Sequence, residues 1–376
     1  MLVAESVIVD LRKTIDAHMA RGGDAVAVRA LESLAALDDD RALRHVHAVS
    51  VRATGKLKKR AAIVLGDICR RRSFTQDQLE DAIITGLGLD ESGSMTFDYG
   101  ARRIAVGFDE LLRPVVRDET GAVLAALPHA TTADDAAKAA NAAEAWKTIK
   151  DEVKLLASAR TARLERAMCD ERFWWTIESV AKSFAARKLL LHIARRVVYG
   201  VVENHRVSAT FRVAEDGTYA GPDDATLSIA PQSRVVVVHP ALIEPSVREA
   251  WQRVFDDYEI LQPFPQIRRD APTLDEAELK TSTTRRFVGE PASGGRFFAL
   301  HKAGWTASWD GLSKEIGTHA ARLSIDPGIS SFMSKPEDQT LGELTLVGCT
   351  FRELSPVARW ELLREVQLVT NRKGVL

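Results

Sequence analysis

The sequence predicts an α+β fold, in which an N-terminal helical region, similar in style to helical repeats, packs on a mixed α/β body with antiparallel strands. Three features of the 376 residues indicate this class. Apolar residues recur at helical spacing up to about residue 86, short apolar runs separated by turn residues begin after Gly93, and both patterns alternate from residue 133 onward. We therefore expect three segments: a helical region over 1–90, a strand meander followed by long helices over 91–195, and a mixed α+β body over 196–376.

Polar breaks separate the helices of the first segment. One helical face is built from apolar residues four positions apart: Val7, Leu11, Ile15 and Met19. The aspartates at 38–40 precede a further helix, because carboxylates favour a helix N-terminus. Thr75 is the expected N-cap of a helix that extends to about Ile84.

Turn residues divide the remaining chain into strands and helices. A strand meander is predicted over 95–99, 103–108, 114–117 and 122–127. Further strands are predicted over 197–202, 207–213, 234–238, 297–300, 321–325 and 341–351. Helices are predicted over 133–168, 189–195, 245–255 and, after Ser355-Pro356, up to residue 368. Two tight hairpin turns are expected, one at Asp216-Gly217 and one at residues 293–295.

Two groups of apolar side chains are expected to be core rather than ligand site. The first is the stripe on the long helix over 133–168: Trp146, Ile149, Val153 and Leu156. The second is the tryptophan pair Trp305 and Trp309, whose strand-like spacing predicts that both cover a core.

Composition limits the class of protein. The net charge of −1 provides no general attraction to nucleic acid or to an anionic membrane. The three cysteines, Cys69, Cys169 and Cys349, lie far apart and form no metal or redox motif. The N-terminus does not resemble a signal peptide, and no apolar run is long enough to cross a bilayer. We therefore expect a cytoplasmic protein without membrane contact, metal or cofactor.

A series of motifs resembles one bacterial family. The motifs lie at residues 87–94, 97–100, 117–121, 164–168, 192–196, 211–218 and 258–266. The last of them, Tyr258-Glu-Ile-Leu-Gln-Pro-Phe-Pro-Gln266, is the most specific. In this order they resemble the domain-of-unknown-function family 4132 over about residues 41–368. The resemblance implies helical repeats upstream in larger members, and an association with WGR domains in proteins described as molybdate-metabolism-regulator-like. It implies no established activity.

Basic residues are concentrated in the segment 41–72. Ten basic residues face a single acid, Asp67: Arg41, Arg44, Arg52, Lys56, Lys58, Lys59, Arg60, Arg70, Arg71 and Arg72. Such a segment can neutralise several phosphates, so Lys56, Lys58, Lys59, Arg60, Arg70, Arg71 and Arg72 are candidate nucleic-acid contacts. The alternative is a solvated helical face, balanced by acids that follow in the chain.

The loop 262–269 is a second candidate site. Its two prolines hold the backbone extended, and its glutamines and arginines can present a fork to a phosphate or carboxylate. Glu259, Gln262, Gln266 and Arg268 are the candidate catalytic residues, and Glu259 and Asp257 could serve as acid, base or metal ligands. The alternative is a structural loop whose glutamines bind backbone groups.

Histidines give weaker signals. His45 and His47 diverge on a helix and cannot share a metal ion, and His192 on an apolar helix is expected in the core. His239 ends a predicted strand, where α/β proteins often place function.

Three functions remain open. The first is a non-enzymatic regulatory or interaction module with a protein partner. The second is a nucleic-acid-associated protein that uses residues 41–72. The third is an enzyme with a polar site around residues 259–269. The sequence does not decide whether the protein is an enzyme, nor its oligomeric state.

Overall fold

The computed structural model describes residues 2–19, 25–76, 78–79, 89–90, 93–181, 188–291, 300–301, 303–326, 328 and 339–370. It confirms the predicted α+β class, with N-terminal helices and antiparallel sheets. The helices are α1 Leu2–Met19, α2 Ala25–Ala36, α3 Asp40–Arg52, α4 Gly55–Arg72, α5 Ala136–Cys169, α6 Ile177–Val180, α7 Lys188–Ala194, α8 Pro245–Asp257, α9 Glu276–Leu279 and α10 Pro356–Val369, with a 3₁₀ helix at Pro240–Leu242.

The strands pair into three antiparallel sheets. Their bounds are β1 Met95–Asp98, β2 Arg103–Phe108, β3 Pro114–Arg117, β4 Val123–Leu124, β5 Trp175–Thr176, β6 Tyr199–Glu203, β7 Arg206–Val213, β8 Tyr219–Ala220, β9 Arg234–Val237, β10 Thr283–Thr284, β11 Thr306–Ser308, β12 Gly311–Ile316, β13 His319–Asp326 and β14 Thr340–Val347. The sheet orders are β1-β2-β3-β4, β5-β9-β6-β7-β8 and β10-β14-β13-β12-β11.

The chain divides into two compact units. Unit one comprises Met1–Arg163 and Glu178–Arg195, and unit two comprises Leu164–Ile177 and Arg196–Leu376. No helix in the described part of the chain is both long enough and apolar enough to span a membrane.

In unit one, the first four helices share a hydrophobic core. Leu31, Leu43 and Leu57 are completely or almost completely buried in it. The aspartate cluster does precede a helix: the Asp39 carboxylate caps α3 by accepting hydrogen bonds from the backbone N–H of Arg41, at 2.8 Å, and of Ala42, at 3.3 Å. These bonds satisfy amides that an uncapped helix leaves without partners.

The meander and the long helix of unit one are also confirmed. β1 to β3 pair as consecutive antiparallel strands, with Phe97 opposite Ile104. The predicted apolar stripe of α5 is buried, and the Trp146 ring lies 5.2 Å from that of Phe108 on β2. The predicted strand over 122–127 is shorter, because only Val123 and Leu124 pair with β3.

Unit two contains the other two sheets. Trp251 and Phe255 of α8 pack with Val198 and Val238, which lie beside β6 and β9. The second sheet buries Leu344 against Phe351 and against Val366 of α10. α10 begins as predicted, because Ser355 Oγ accepts a hydrogen bond from Ala358 N at 3.2 Å and Pro356 occupies the first turn.

The expectation that Trp305 and Trp309 both cover a core is correct for one of them and wrong for the other. Trp305 is buried and donates its Nε1–H to Glu365 at 2.8 Å. Trp309 is 81% exposed, since it lies in the turn between β11 and β12 instead of in a strand. The end of the helix after Thr75, the turn at 293–295 and the first residues of the strand over 297–300 lie outside the described residues.

Candidate functional site

A buried polar network lies at the end of β9 in unit two. His239 is fully buried, and its Nδ1 accepts a hydrogen bond from Ala241 N at 3.1 Å, which caps the 3₁₀ helix. Since Nδ1 is an acceptor, the ring proton of the neutral imidazole resides on Nε2, which donates to Glu361 Oε1 at 3.0 Å. Burial lowers the pKa of His239 in spite of this carboxylate, so the ring is neutral at physiological pH.

Arg269 binds the same carboxylate with both arms of its guanidinium. Nε lies 2.6 Å from Glu361 Oε1 and Nη2 lies 2.5 Å from Oε2, while Nη1 reaches Glu165 Oε1 at 2.8 Å. Burial alone would raise the pKa of Glu361, but the hydrogen bonds from Arg269 and His239 outweigh it and lower the pKa to about 2. The fork expected on the loop 262–269 is therefore present in Arg269, and the carboxylate that it holds belongs to the protein itself.

Cys169, at the end of α5, completes this cluster. Its sulfur and one ligand atom each of His239 and Glu361 all lie within 4.8 Å of one another, a spacing that could hold a metal ion. Burial, aided by the charge of Glu361, raises the pKa of Cys169 to about 12, so the thiol is protonated.

The hydrogen bonding does not suit a metal. A metal-bound histidine normally donates its second ring N–H, whereas the second nitrogen of His239 accepts a backbone N–H. Arg269 also occupies both oxygens of Glu361. The cluster is therefore suited to holding α10, the loop 262–269 and the end of β9 together.

The two candidate glutamines form hydrogen bonds within the fold. Gln266 is completely buried, and its Oε1 accepts from Val198 N and from Gln262 Nε2, each at 2.9 Å. Its Nε2 donates to Val198 O at 2.7 Å and Val238 O at 2.9 Å, so all four hydrogen-bonding positions of the amide are occupied. Gln262 Oε1 in turn accepts from Ile267 N at 2.9 Å. The pair joins the loop to the backbone beside β6 and β9.

The other two candidates of this site lie at the surface. Glu259 is exposed just beyond α8, in the left-handed backbone region with φ +51°. Arg268 is exposed and forms an ion pair with Asp256. Of the four predicted catalytic residues, only Gln262 and Gln266 contact one another in the described structure.

In unit one, at least five of the ten basic residues in segment 41–72 pair with acids of the described chain. The ion pairs are Arg44 with Glu152 at 3.6 Å, Arg52 with Asp16 at 3.9 Å, Arg60 with Glu32 at 2.6 Å, Arg70 with Asp67, and Arg72 with Asp38 at 3.1 Å and with Asp40 at 2.9 Å. Arg60, Arg70 and Arg72 of the predicted nucleic-acid contacts are therefore partly neutralised within the fold.

Four basic residues of α4 remain without an ion pair to any described residue. We call them the α4 cations: Lys56, Lys58, Lys59 and Arg71. All four are exposed. Three lie in the first turns of α4, which contain no acidic residue and whose N-cap, Thr54, forms no side-chain hydrogen bond. Positive charge at a helix N-terminus opposes the helix dipole, so these lysines destabilise the helix slightly.

A pocket of about 520 Å³ opens in unit two beside the buried network. Its walls come from α8, the 3₁₀ helix, α10 and the segment 272–274. Arg248 on α8 donates Nε to Ile267 O at 2.8 Å and places its guanidinium 5.5 Å from the Trp360 ring. Arg359 donates Nη1 to Phe351 O at 2.9 Å. Sequence reasoning did not identify Arg248, Arg359 or Trp360, because no local motif marks them.

Comparison with known proteins gives a family match over the middle of the chain. The family model described as a domain of unknown function (DUF4132) matches residues 121–305. The chain is similar to the uncharacterized protein YehI of Escherichia coli strain K12, with 28% identity over 333 residues, which cover 87% of this chain and 27% of the relative. The chain thus spans about a quarter of the length of that relative. No solved structure matches the chain. The family match confirms the resemblance derived from the motifs over residues 121–305.

Proposed function

We propose that this chain is a non-enzymatic binding module that docks an acidic protein segment on α4. The observation that carries the proposal is the set of α4 cations, which are exposed and form no ion pair with any described residue. An acidic partner would neutralise them and would also relieve the unfavourable charge at the N-terminus of the helix.

The internal bonding of the candidate catalytic groups supports a non-enzymatic role. Gln266 has all four hydrogen-bonding positions occupied, which leaves it no capacity to bind a substrate, and Gln262 is held by Gln266 and by Ile267 N. The Cys169 thiol is protonated because its pKa is raised to about 12, so it is a poor nucleophile. Glu361 is held between Arg269 and His239 as an ionised acceptor, which is unsuited to proton transfer near neutral pH.

The surroundings of the α4 cations favour a protein partner over nucleic acid. Binding to a phosphate backbone gains its strength from many neutralised phosphates, but five basic residues of the segment already pair with acids of the fold. Ile63 follows Lys59 by one turn of α4 and is 53% exposed. An amphipathic protein segment would bury this aliphatic side chain, whereas a phosphate backbone offers it no apolar partner.

The test is fluorescence anisotropy with three labelled probes. The first is an amphipathic peptide of glutamates and leucines about 18 residues long, and the others are a short duplex DNA and a single-stranded DNA of matched charge. We expect the peptide to bind more tightly than either DNA. Its affinity should fall as the salt concentration rises from about 50 to 200 mM. The triple variant Lys56→Glu, Lys58→Glu, Lys59→Glu should weaken peptide binding about 10- to 100-fold.

A matched variant controls for net charge. Arg103, Lys147 and Lys154 are exposed residues of unit one outside α4, and their reversal to glutamate should leave peptide binding within about twofold of wild type. Tighter binding of DNA, lost in the α4 variant alone, would replace the proposal with nucleic-acid binding. Absence of binding by all probes at low salt, or equal losses in both variants, would overturn it.

A further inference from the structure

The pocket beside the buried network has the size and walls of a small-molecule site. Its volume of about 520 Å³ lies within the range of ordinary ligand pockets, roughly 300–1,000 Å³. Ile243, Leu274, Leu279 and Leu363 contribute apolar walls, and the Trp360 ring contributes a flat one. An apolar body would therefore bury surface on several sides of this pocket.

The charge that lines the pocket is positive. Arg248 and Arg359 contribute cations, and Glu249 is the acid of the lining. Arg248 has a carboxylate nearby, Asp270 Oδ1 at 3.6 Å from Nη2. Arg359 pairs with no carboxylate of the described chain, and its one hydrogen bond goes to the carbonyl oxygen of Phe351.

Arg359 is also partly removed from water. Burial lowers its pKa, and the neighbouring cation Arg352 lowers it further, with no acid acting in the opposite direction. A guanidinium in these surroundings loses hydration without a compensating anion, and several of its donors remain for a ligand. A planar carboxylate or a phosphate is the group that a guanidinium binds best.

Trp360 adds a second unsatisfied group next to Arg359. Its indole Nε1 is buried and has no hydrogen-bond partner within the described structure. Buried indole N–H groups usually find an acceptor, so Trp360 carries an unmet hydrogen bond at the wall of the pocket. The ring is held in place, because His239 contacts it edge-on with 6.0 Å between ring centroids and Arg248 lies over it.

We propose that this pocket binds a small aromatic anion, with its carboxylate or phosphate on Arg359 and its ring against Trp360 and the aliphatic wall. Arg248 is a positioning residue that fixes the tryptophan ring. This inference goes beyond the docking of a partner on α4, because the site is built entirely from residues of unit two.

The binding test uses two anions and their neutral analogues. Naphthoate and naphthyl phosphate are the probes, with naphthamide and naphthol as uncharged controls, and each is titrated into the full chain by isothermal calorimetry and ligand-observed NMR. We expect at least one anion to bind at least about tenfold more tightly than its neutral analogue, since charge-assisted hydrogen bonds exceed neutral ones by this margin. The preferred anion distinguishes a carboxylate ligand from a phosphate ligand.

Three variants locate the binding. Arg359→Gln should weaken the anions about tenfold or more and leave the neutral analogues unchanged. Trp360→Phe, which keeps a ring but removes the N–H, should weaken both classes by a smaller factor. Arg253→Gln removes an exposed arginine of α8 outside the pocket lining and should change nothing.

Several results would overturn the proposal. These are no binding of either anion up to millimolar concentration, equal affinity of anions and neutral analogues, and equal losses in Arg359→Gln and Arg253→Gln. If Arg359→Gln does not fold, the comparison of charged and neutral probes in the wild-type chain decides the matter without it.

Discussion

Replacing Glu361 by glutamine should be among the most damaging single changes in unit two. The variant keeps the shape of the side chain but removes the charge of the carboxylate. In the wild-type chain this carboxylate binds Arg269 through two contacts of 2.6 and 2.5 Å and accepts a hydrogen bond from His239 at 3.0 Å. Arg269 is then left buried with Glu165 as its remaining carboxylate, at 2.8 Å. Breaking a buried pair in this way costs about 3–5 kcal/mol of the free energy of unfolding.

The pKa of Glu361 gives a similar magnitude by a separate route. Its value falls from 4.5 to about 2 in the folded protein, and at about 1.4 kcal/mol per pKa unit this corresponds to about 3 kcal/mol. A depressed carboxyl pKa contributes stability that is complete above pH 4.5 and is lost as the pH falls towards 2. The difference in stability between wild type and Glu361→Gln should therefore shrink as the pH is lowered through this window.

Urea unfolding followed by circular dichroism measures both effects. Titrations of wild type and Glu361→Gln at pH 7, 5 and 3 give the free energies of unfolding and their difference at each pH. Glu276→Gln is the control, because Glu276 pairs with Arg352 in a largely exposed ion pair that should contribute less than about 1 kcal/mol. A loss in Glu361→Gln no larger than in the control, or a difference that does not change between pH 5 and pH 3, would refute the reasoning.

Three further changes test other parts of the structure. Gln266→Ala leaves the Val198 amide and the Val238 carbonyl without their Gln266 partner, while the Val198 carbonyl keeps its hydrogen bond from Val238 N at 3.0 Å. Urea unfolding should show a loss of about 2–4 kcal/mol, and a loss below about 1 kcal/mol would contradict this role. Thr54→Asp adds a capping carboxylate beside the lysines of α4, where Thr54 makes no side-chain hydrogen bond. The free energy of unfolding should rise by about 0.5–1 kcal/mol. A lower unfolding midpoint would argue against an unfavourable positive charge at the N-terminus of α4. Cys169 should react far more slowly with iodoacetamide in the native chain than in urea, because its pKa is raised to about 12. Peptide mass spectrometry measures both rates, and equal rates would show that the thiol is accessible and ionised.

Local patterns predicted most of the secondary structure correctly. The Asp39 cap, the β1–β3 meander and the Ser355-Pro356 start of α10 were all expected, since each depends on side chains within four residues or on a neighbouring strand. One exception is Trp309, where the alternation typical of a strand continues through a turn. Periodicity alone does not mark the turn, because the residue that reverses the chain there is an exposed tryptophan.

The candidate sites were predicted less completely. The basic segment was visible in the sequence, but Arg60 pairs with a glutamate 28 residues away and Arg72 with an aspartate 34 residues away. The loop 262–269 was recognised as rigid and polar, but its Arg269 binds Glu361, which is 92 residues further along the chain. Ion pairing between residues so far apart in the sequence depends on how the helices pack, and the pattern of residues along the chain contains no information on that packing.

The sequence by itself determined the α+β class, the positions of most helices and strands and the resemblance of residues 121–305 to the DUF4132 family. These follow from side-chain periodicity, capping and turn chemistry, which act over a few residues and are repeated along the chain. Only the tertiary structure decided which cations remain exposed on α4, and that Arg359 and Trp360 line one pocket. Those properties depend on the burial and pairing of side chains from distant segments, because desolvation and ion pairing act through space and not along the chain.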